Sequence, residues 1–252
     1  MLRAPITLSH LAFDVLWRHD DLGEQHTALT VPSPGATHDE RAVIVREVFG
    51  QLEQVGLARG GQAHPDVRDT LRLISKAGNE FYGWVADGPT KEPRAVVVAA
   101  DAREAVLVVR EPEVMRLFPV SPTNPAEVLA RQLPDVAPGR GPSINVRESD
   151  FKGGGGAAQS WAAQREDPDA RALRRLMAEP RIGLSKLYTA HRTAHGKHQR
   201  AEDFLTVIDM ASSGRWLITT QADSAGQRWI IANPGTPQGI AEKLYRLRST
   251  LN

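Results

Sequence analysis

Cysteine is absent from the chain, so no disulfide staples it and no thiolate metal site can form. No apolar run approaches the ~18 residues that a membrane helix needs, which excludes membrane insertion. The N-terminal stretch MLRAPITLSHLAFDVLW has neither a continuous apolar core nor a small-residue cleavage site, so it does not read as a signal peptide. An excess of charge is also missing. Lys and Arg total 31 against 30 Asp and Glu, a formal net charge of +1, which argues against an electrostatic mode of nucleic-acid binding. Catalytic signatures are lacking too. There is no Gly-x-Ser-x-Gly elbow and no HExxH. Neither FKGGGGAAQSW nor PGRGPS completes a phosphate loop or a dinucleotide fingerprint. What remains is a soluble, cytoplasmic protein of 252 residues without a cofactor, long enough to bury a substantial core.

What is present is strong local punctuation. In LTVPSPGATHDERAVIVREVFGQLEQVGL, Thr37 and Glu40 have the spacing of a capping box, and Asp39 and Glu40 place negative charge at the positive end of a helix dipole. Ile44, Val48, Leu52 and Val55 recur at helical spacing, with Val45 and Phe49 beside them, and Gly56 is a fitting stop. The stretch predicts a short strand (29–31), a rigid turn (32–36) and an amphipathic helix. Residues 7–18 fit a strand or a helix. Pro65 starts a second helix with Val67, Leu71 and Ile74 on one face, ending at Gly78.

The texture then changes. EFYGWVA (80–86), RAVVVAAD (94–101) and EAVLVVRE (104–111) are rich in β-branched and aromatic residues and are divided by turn material, which predicts an antiparallel meander. A Pro-started helix follows at 124–134. Residues 135–161, rich in Gly, Pro and Ser, read as a linker, with mobility expected around Gly153 to Gly156. Beyond it come a helix (167–180), strands at 184–192, 203–210, 214–221 and 227–233, and a closing helix (236–251) with Pro237 at its first position. DTLRLISKAG aligns with RALRRLMAEP, DAREAVLVV with SSGRWLITT, and NPAEVLARQL with TPQGIAEKLY. The order of elements predicts an internal repeat of two halves, about 1–134 and 162–252, within one domain. The fold class is α+β, an antiparallel sheet with flanking helices and quasi-twofold symmetry.

The cluster HRTAHGKHQR holds His191, His195 and His198. Two histidines four apart on a helix could share a metal, but Gly196 and the polar setting favour a solvated hairpin loop, and no carboxylate partner is evident. Asp20-Asp21 and Asp167/Asp169 read as caps and surface charge. Trp84, Trp216 and Trp229 all fall in predicted strands, where core packing competes with a role as anchors on an open sheet face.

Several stretches together carry a resemblance. They are LSHLAFDVLWRHDDLGEQHTAL, VPSPGATHDERA, DVRDTLRLIS, LPDVAPGRGPSINV and SSGRWLITTQADSAGQRWIIANPGTPQGIAEKL. In that order, across nearly the whole chain, they resemble the EspG family of ESX (type VII) secretion-associated proteins of actinobacteria; the insert FKGGGG has no counterpart. The resemblance implies a chaperone rather than an enzyme. Its partner would be a PPE-like or WXG-type helical secretion substrate, bound at the tip of its helical bundle, kept soluble and escorted to the secretion machinery. It also implies the quasi-twofold fold read above. By analogy, the partner-binding residues expected here are Trp84, Asp87, Lys91, Arg94, Trp216 and Trp229. The competing readings are a generic binding or scaffold domain, and a metal-binding enzyme using the loop from His191 to His198. Exposed sheet edges leave pairing between copies, a homodimer, open.

Overall fold

The computed structural model describes residues 1–86, 88, 92–153, 167–193 and 197–251. Its elements in chain order are β1 (Ile6–Ser9), α1 (His10–His19), α2 (His38–Gln54), β2 (Ala58–Arg59), β3 (Gln62–Ala63), α3 (Pro65–Lys76), β4 (Asn79–Val85), β5 (Arg94–Ala100), β6 (Ala105–Arg110), β7 (Val114–Val120) and α4 (Pro125–Ala130). They continue with β8 (Ile144–Arg147), α5 (Glu148–Gly153), α6 (Pro168–Ala178), β9 (Arg181–Arg192), β10 (His198–Arg200), β11 (Leu205–Met210), β12 (Gly214–Ala222), β13 (Arg228–Pro234) and α7 (Pro237–Ser249). This is the α+β antiparallel architecture that the sequence predicts.

Among the described residues one sheet of 11 strands organises the fold, in the order β1-β7-β6-β5-β4-β9-β11-β12-β13-β8, with β10 also paired to β9. Strands β4 and β9 join the two sides, with Tyr82 opposite Tyr188 and Glu80 opposite Ala190. Because side chains alternate along each strand, the sheet has two faces. The front face carries Tyr82, Val97, Val108 and Leu117 into a core shared with α1, α2 and α3. Further along, the same face carries Ile208, Trp216 and Ala232 into a second core with Leu173 and Leu176 of α6. The back face buries Phe81, Val98, Leu187, Val207 and Leu217 against Leu129 of α4 and Ile240 and Leu244 of α7. With both faces covered, β5 and β6 are buried along almost their whole length. That is why their sequences, AVVVAA and AVLVV, run apolar instead of alternating.

The cap of α2 forms as its sequence requires. Thr37 Oγ1 accepts from the Glu40 N–H at 3.2 Å, and Glu40 Oε2 accepts from the Thr37 N–H at 3.2 Å. Gly56 ends the helix at φ +74°, a left-handed conformation that glycine adopts without strain. Val48, Phe49 and Leu52 are buried, whereas Val55, expected on the same stripe, is the C-cap residue and 68% exposed. Other expectations shift. Residues 7–18 divide between a strand and a helix, because Ser9 Oγ caps α1 by accepting from the Ala12 N–H. Residues 29–31 form no strand; a 3-10 turn, Thr27–Leu29, occupies that place.

Residues 135–153, the described part of the expected linker, lie against the sheet. Pro138 bridges to Arg215, the Arg215 N–H donates to the Ala137 carbonyl at 2.8 Å, and β8 pairs with β13. Gly139 is needed there, since a Cβ would stand 2.5 Å from the Trp216 ring. On the free side of β8 the Asn145 N–H donates to Asp169 Oδ2 at 2.9 Å, so the first turn of α6 closes that edge. Within the glycine run 153–156, residues 154–156 lie outside the described residues.

Candidate docking surface

On the front face, α3 packs over β5 and β6 and α6 over β8, leaving the middle strands between them. There the alternation of β9 brings Leu184, Lys186 and Tyr188 to the front, beside Tyr82 and Trp84 of β4 and Phe204 just before β11. Leu184 is 36% and Phe204 38% exposed, in contrast to the covered strands on either side. The rings form one connected strip. Tyr82 stacks on Tyr188 at 5.4 Å, Tyr188 on Phe204 at 5.2 Å, and Trp84 meets Tyr188 edge-on at 5.8 Å. Two cations flank it: the Arg200 guanidinium lies 5.1 Å over Tyr188 and Lys186 Nζ 5.7 Å over Phe204. Burial pushes the Tyr82 hydroxyl up to about 12, against the opposing pull of Arg200. An open apolar strip anchored by rings and edged by cations is suited to a protein partner: aromatics supply contact area and Arg and Lys supply polar edges.

Directly beside the strip lies a buried polar hub. Glu80 is fully buried; its Oε2 accepts from His198 Nε2 at 2.7 Å and lies 3.3 Å from His26 Nε2, while Arg192 Nε is 3.8 Å from Oε1. Burial alone would raise the Glu80 carboxyl, but the hydrogen bonds and charges of His198 and His26 outweigh it and hold it down to about 2. Among the described residues, His26, Glu80 and His198 bring three ligand atoms within 4.8 Å of one another, the spacing of a metal site. The bonding of His26 opposes that use. Its Nδ1 accepts from the Ala28 N–H at 3.1 Å, which places a ring proton on Nε2, toward the carboxylate. A metal at Nε2 would force that proton onto Nδ1, where the Ala28 N–H already points. Within the trio His198 closes a hydrogen bond to the carboxylate, whereas His26 Nε2 stands 3.3 Å away without closing one. Nor does the His191 to His198 loop gather its histidines: His198 turns to Glu80, His191 is outside the trio, and His195 lies outside the described residues.

The six residues expected to bind a partner are placed apart. Trp84 belongs to the strip. Arg94 instead donates from Nη2 to the Gln132 carbonyl beyond α4. Trp216 is 3% exposed and donates to Ser213 Oγ at 3.2 Å, so its size is spent on the core and it presents no contact area. Trp229 lies at the far side of the sheet, donating to Asp223 Oδ2 at 3.0 Å with Arg147 over its ring at 5.4 Å. Asp87 and Lys91 fall outside the described residues, in the connection that follows Trp84 and β4. The sequence reading missed Tyr188, Phe204, Lys186 and Arg200. LSKLYTAHR carries no clear signal for them, because its open face holds Leu184, Lys186 and Tyr188 while the polar Ser185 and Thr189 are buried on the other face.

The candidate site is thus a partly exposed aromatic strip on a wide antiparallel sheet with helices on both faces. The chain belongs to the EspG family, whose model matches residues 9–246. Among solved structures it is similar to the Mycobacterium tuberculosis type VII secretion system chaperone EspG5 in complex with the PE25–PPE41 dimer. The identity is 16% and the TM-score 0.66, over 98% of this chain and 96% of that one. No curated protein matches the chain. Among the described residues no helix is long and apolar enough to cross a membrane.

Proposed function

We propose that this chain is a non-catalytic, cytoplasmic chaperone that binds PE/PPE-type substrates of an ESX secretion system and keeps them soluble until export. The observation that carries the reading is the open strip of Trp84, Tyr188 and Phe204 with its flanking cations, on a chain of the EspG family. An apolar, aggregation-prone helical tip is the kind of surface such a strip can cover, and the cationic rim permits release, since rim charges are worth little when solvated. Asp87 and Lys91, in the connection after Trp84, are proposed as further contacts of the same client.

Co-expression with the PE/PPE-like or WXG-type pair encoded nearest the gene, followed by size-exclusion chromatography with mass determination, tests the proposal. The expected result is a stoichiometric complex whose client is insoluble when expressed alone. Failure to form a complex with any neighbouring pair would leave a generic binding protein of the same fold.

A further inference from the structure

We propose that Glu80 is a positioning residue for the docking strip: through His198 and Arg192 it fixes the β9–β10 hairpin so that Arg200 lies over Tyr188. The inference rests on the docking reading above.

The register shows how one side chain can do this. Glu80 of β4 and Arg200 of β10 both pair with Ala190, one on each side of β9, and His198 pairs with Arg192. All of these residues face the front. The methyl group of Ala190 leaves room above β9, and His198 uses it to reach across to Glu80 Oε2 at 2.7 Å. The carboxylate therefore ties two strands that share no backbone hydrogen bonds. Strand β10 needs such a tie. It is three residues long and pairs with β9 alone, and so short a strand has little stability of its own. Beside its ladder to β9, the hairpin is held by the Thr193 N–H, which donates to the Lys197 carbonyl at 2.9 Å, and by the Ala201 N–H, which donates to the Thr189 carbonyl at 3.0 Å. His26, from a distant part of the chain, meets Tyr82 edge-on at 4.6 Å, so the hub also braces the ring on which Tyr188 stacks.

The neighbours of Glu80 make the same point. It pairs with Ala99 on β5 and Ala190 on β9, both fully buried. A buried charge in such surroundings is costly unless it is held by partners. Here one of the partners, His198, belongs to β10 itself and another, Arg192, is the residue of β9 with which it pairs. A purely apolar residue at position 80 would fill this part of the sheet, but it would remove the tie between β4 and β10.

Amide hydrogen exchange on the free, full-length protein tests the tie without any client. In Glu80→Gln, and in His198→Ala made from the more exposed side, amides of 198–201 should exchange about tenfold faster while those of Val96–Val98 in β5 stay unchanged. Unaltered exchange at 198–201, or an equal rise across the whole sheet, would overturn the proposal. His198→Ala carries the same expectation should Glu80→Gln fail to fold. The consequence for docking is read with the PE/PPE-like pair encoded nearest the gene. Glu80→Gln and Arg200→Ala should each weaken binding about tenfold, and the double variant should be no weaker than Arg200→Ala alone, because both act through one contact. Multiplied effects would separate Glu80 from Arg200 and overturn the link. A wild-type protein that binds no pair would sink the docking reading and leave the exchange result to decide the hairpin.

Discussion

Glu80 places a full negative charge where its strand neighbours are alanines, and its pH behaviour follows from its partners. Its carboxyl is held down to about 2 in the folded protein, from an ordinary value of 4.5. A depressed carboxyl contributes stability that is fully present above its unfolded value and is lost as pH falls from about 4.5 toward 2. A shift of that size corresponds to about 3 kcal/mol. Denaturant unfolding of the wild type should therefore lose stability steeply across that window. Glu80→Gln, less stable at neutral pH, should show a shallower loss, and parallel curves for the two proteins would contradict the assignment. At this scale the sequence was only partly legible. Trp84 could be singled out as an aromatic in a strand, but Trp216 looked the same and is buried, because burial depends on whether a helix covers that stretch of sheet. Single side chains do not carry that information; the covering α6 lies almost forty residues upstream of Trp216.

Elements whose cause is local were the most legible. The helix α2 was readable from Thr37, Glu40 and Gly56 because capping is settled within a few residues. Thr37→Ala should lower stability by about 1 kcal/mol and reduce the melting temperature, with no change in client binding beyond what that loss explains. A binding defect out of proportion would mean that α2 touches the client. The outer strands were the least legible. MRLFPV in β7 carries a proline and follows the meander too closely to stand out. INVR in β8 is four residues inside a Gly- and Pro-rich stretch that reads as linker. β8 exists because β13 offers it an edge and Val146 a place in the core, and both are non-local.

The whole molecule is arranged about the β4–β9 pair. Outward from it run β5, β6, β7 and β1 on one side and β11, β12, β13 and β8 on the other. A helix precedes each central strand, α3 and α6, and a Pro-started helix follows each outer hairpin, α4 and α7. A sheet this wide has an end at β8, and the Asp169 carboxylate occupies its Asn145 N–H. Asp169→Ala should raise self-association, seen as concentration-dependent mass in light scattering, with only a small loss of stability; a strictly unchanged mass at high concentration would show that other features guard the edge.

The consequence of that closed edge reaches beyond this chain. An open strand end is a template on which an extended segment of another chain can add itself and start a fibre. With the Asp169 carboxylate already seated on the Asn145 N–H of β8, that route is narrowed at this end of the sheet.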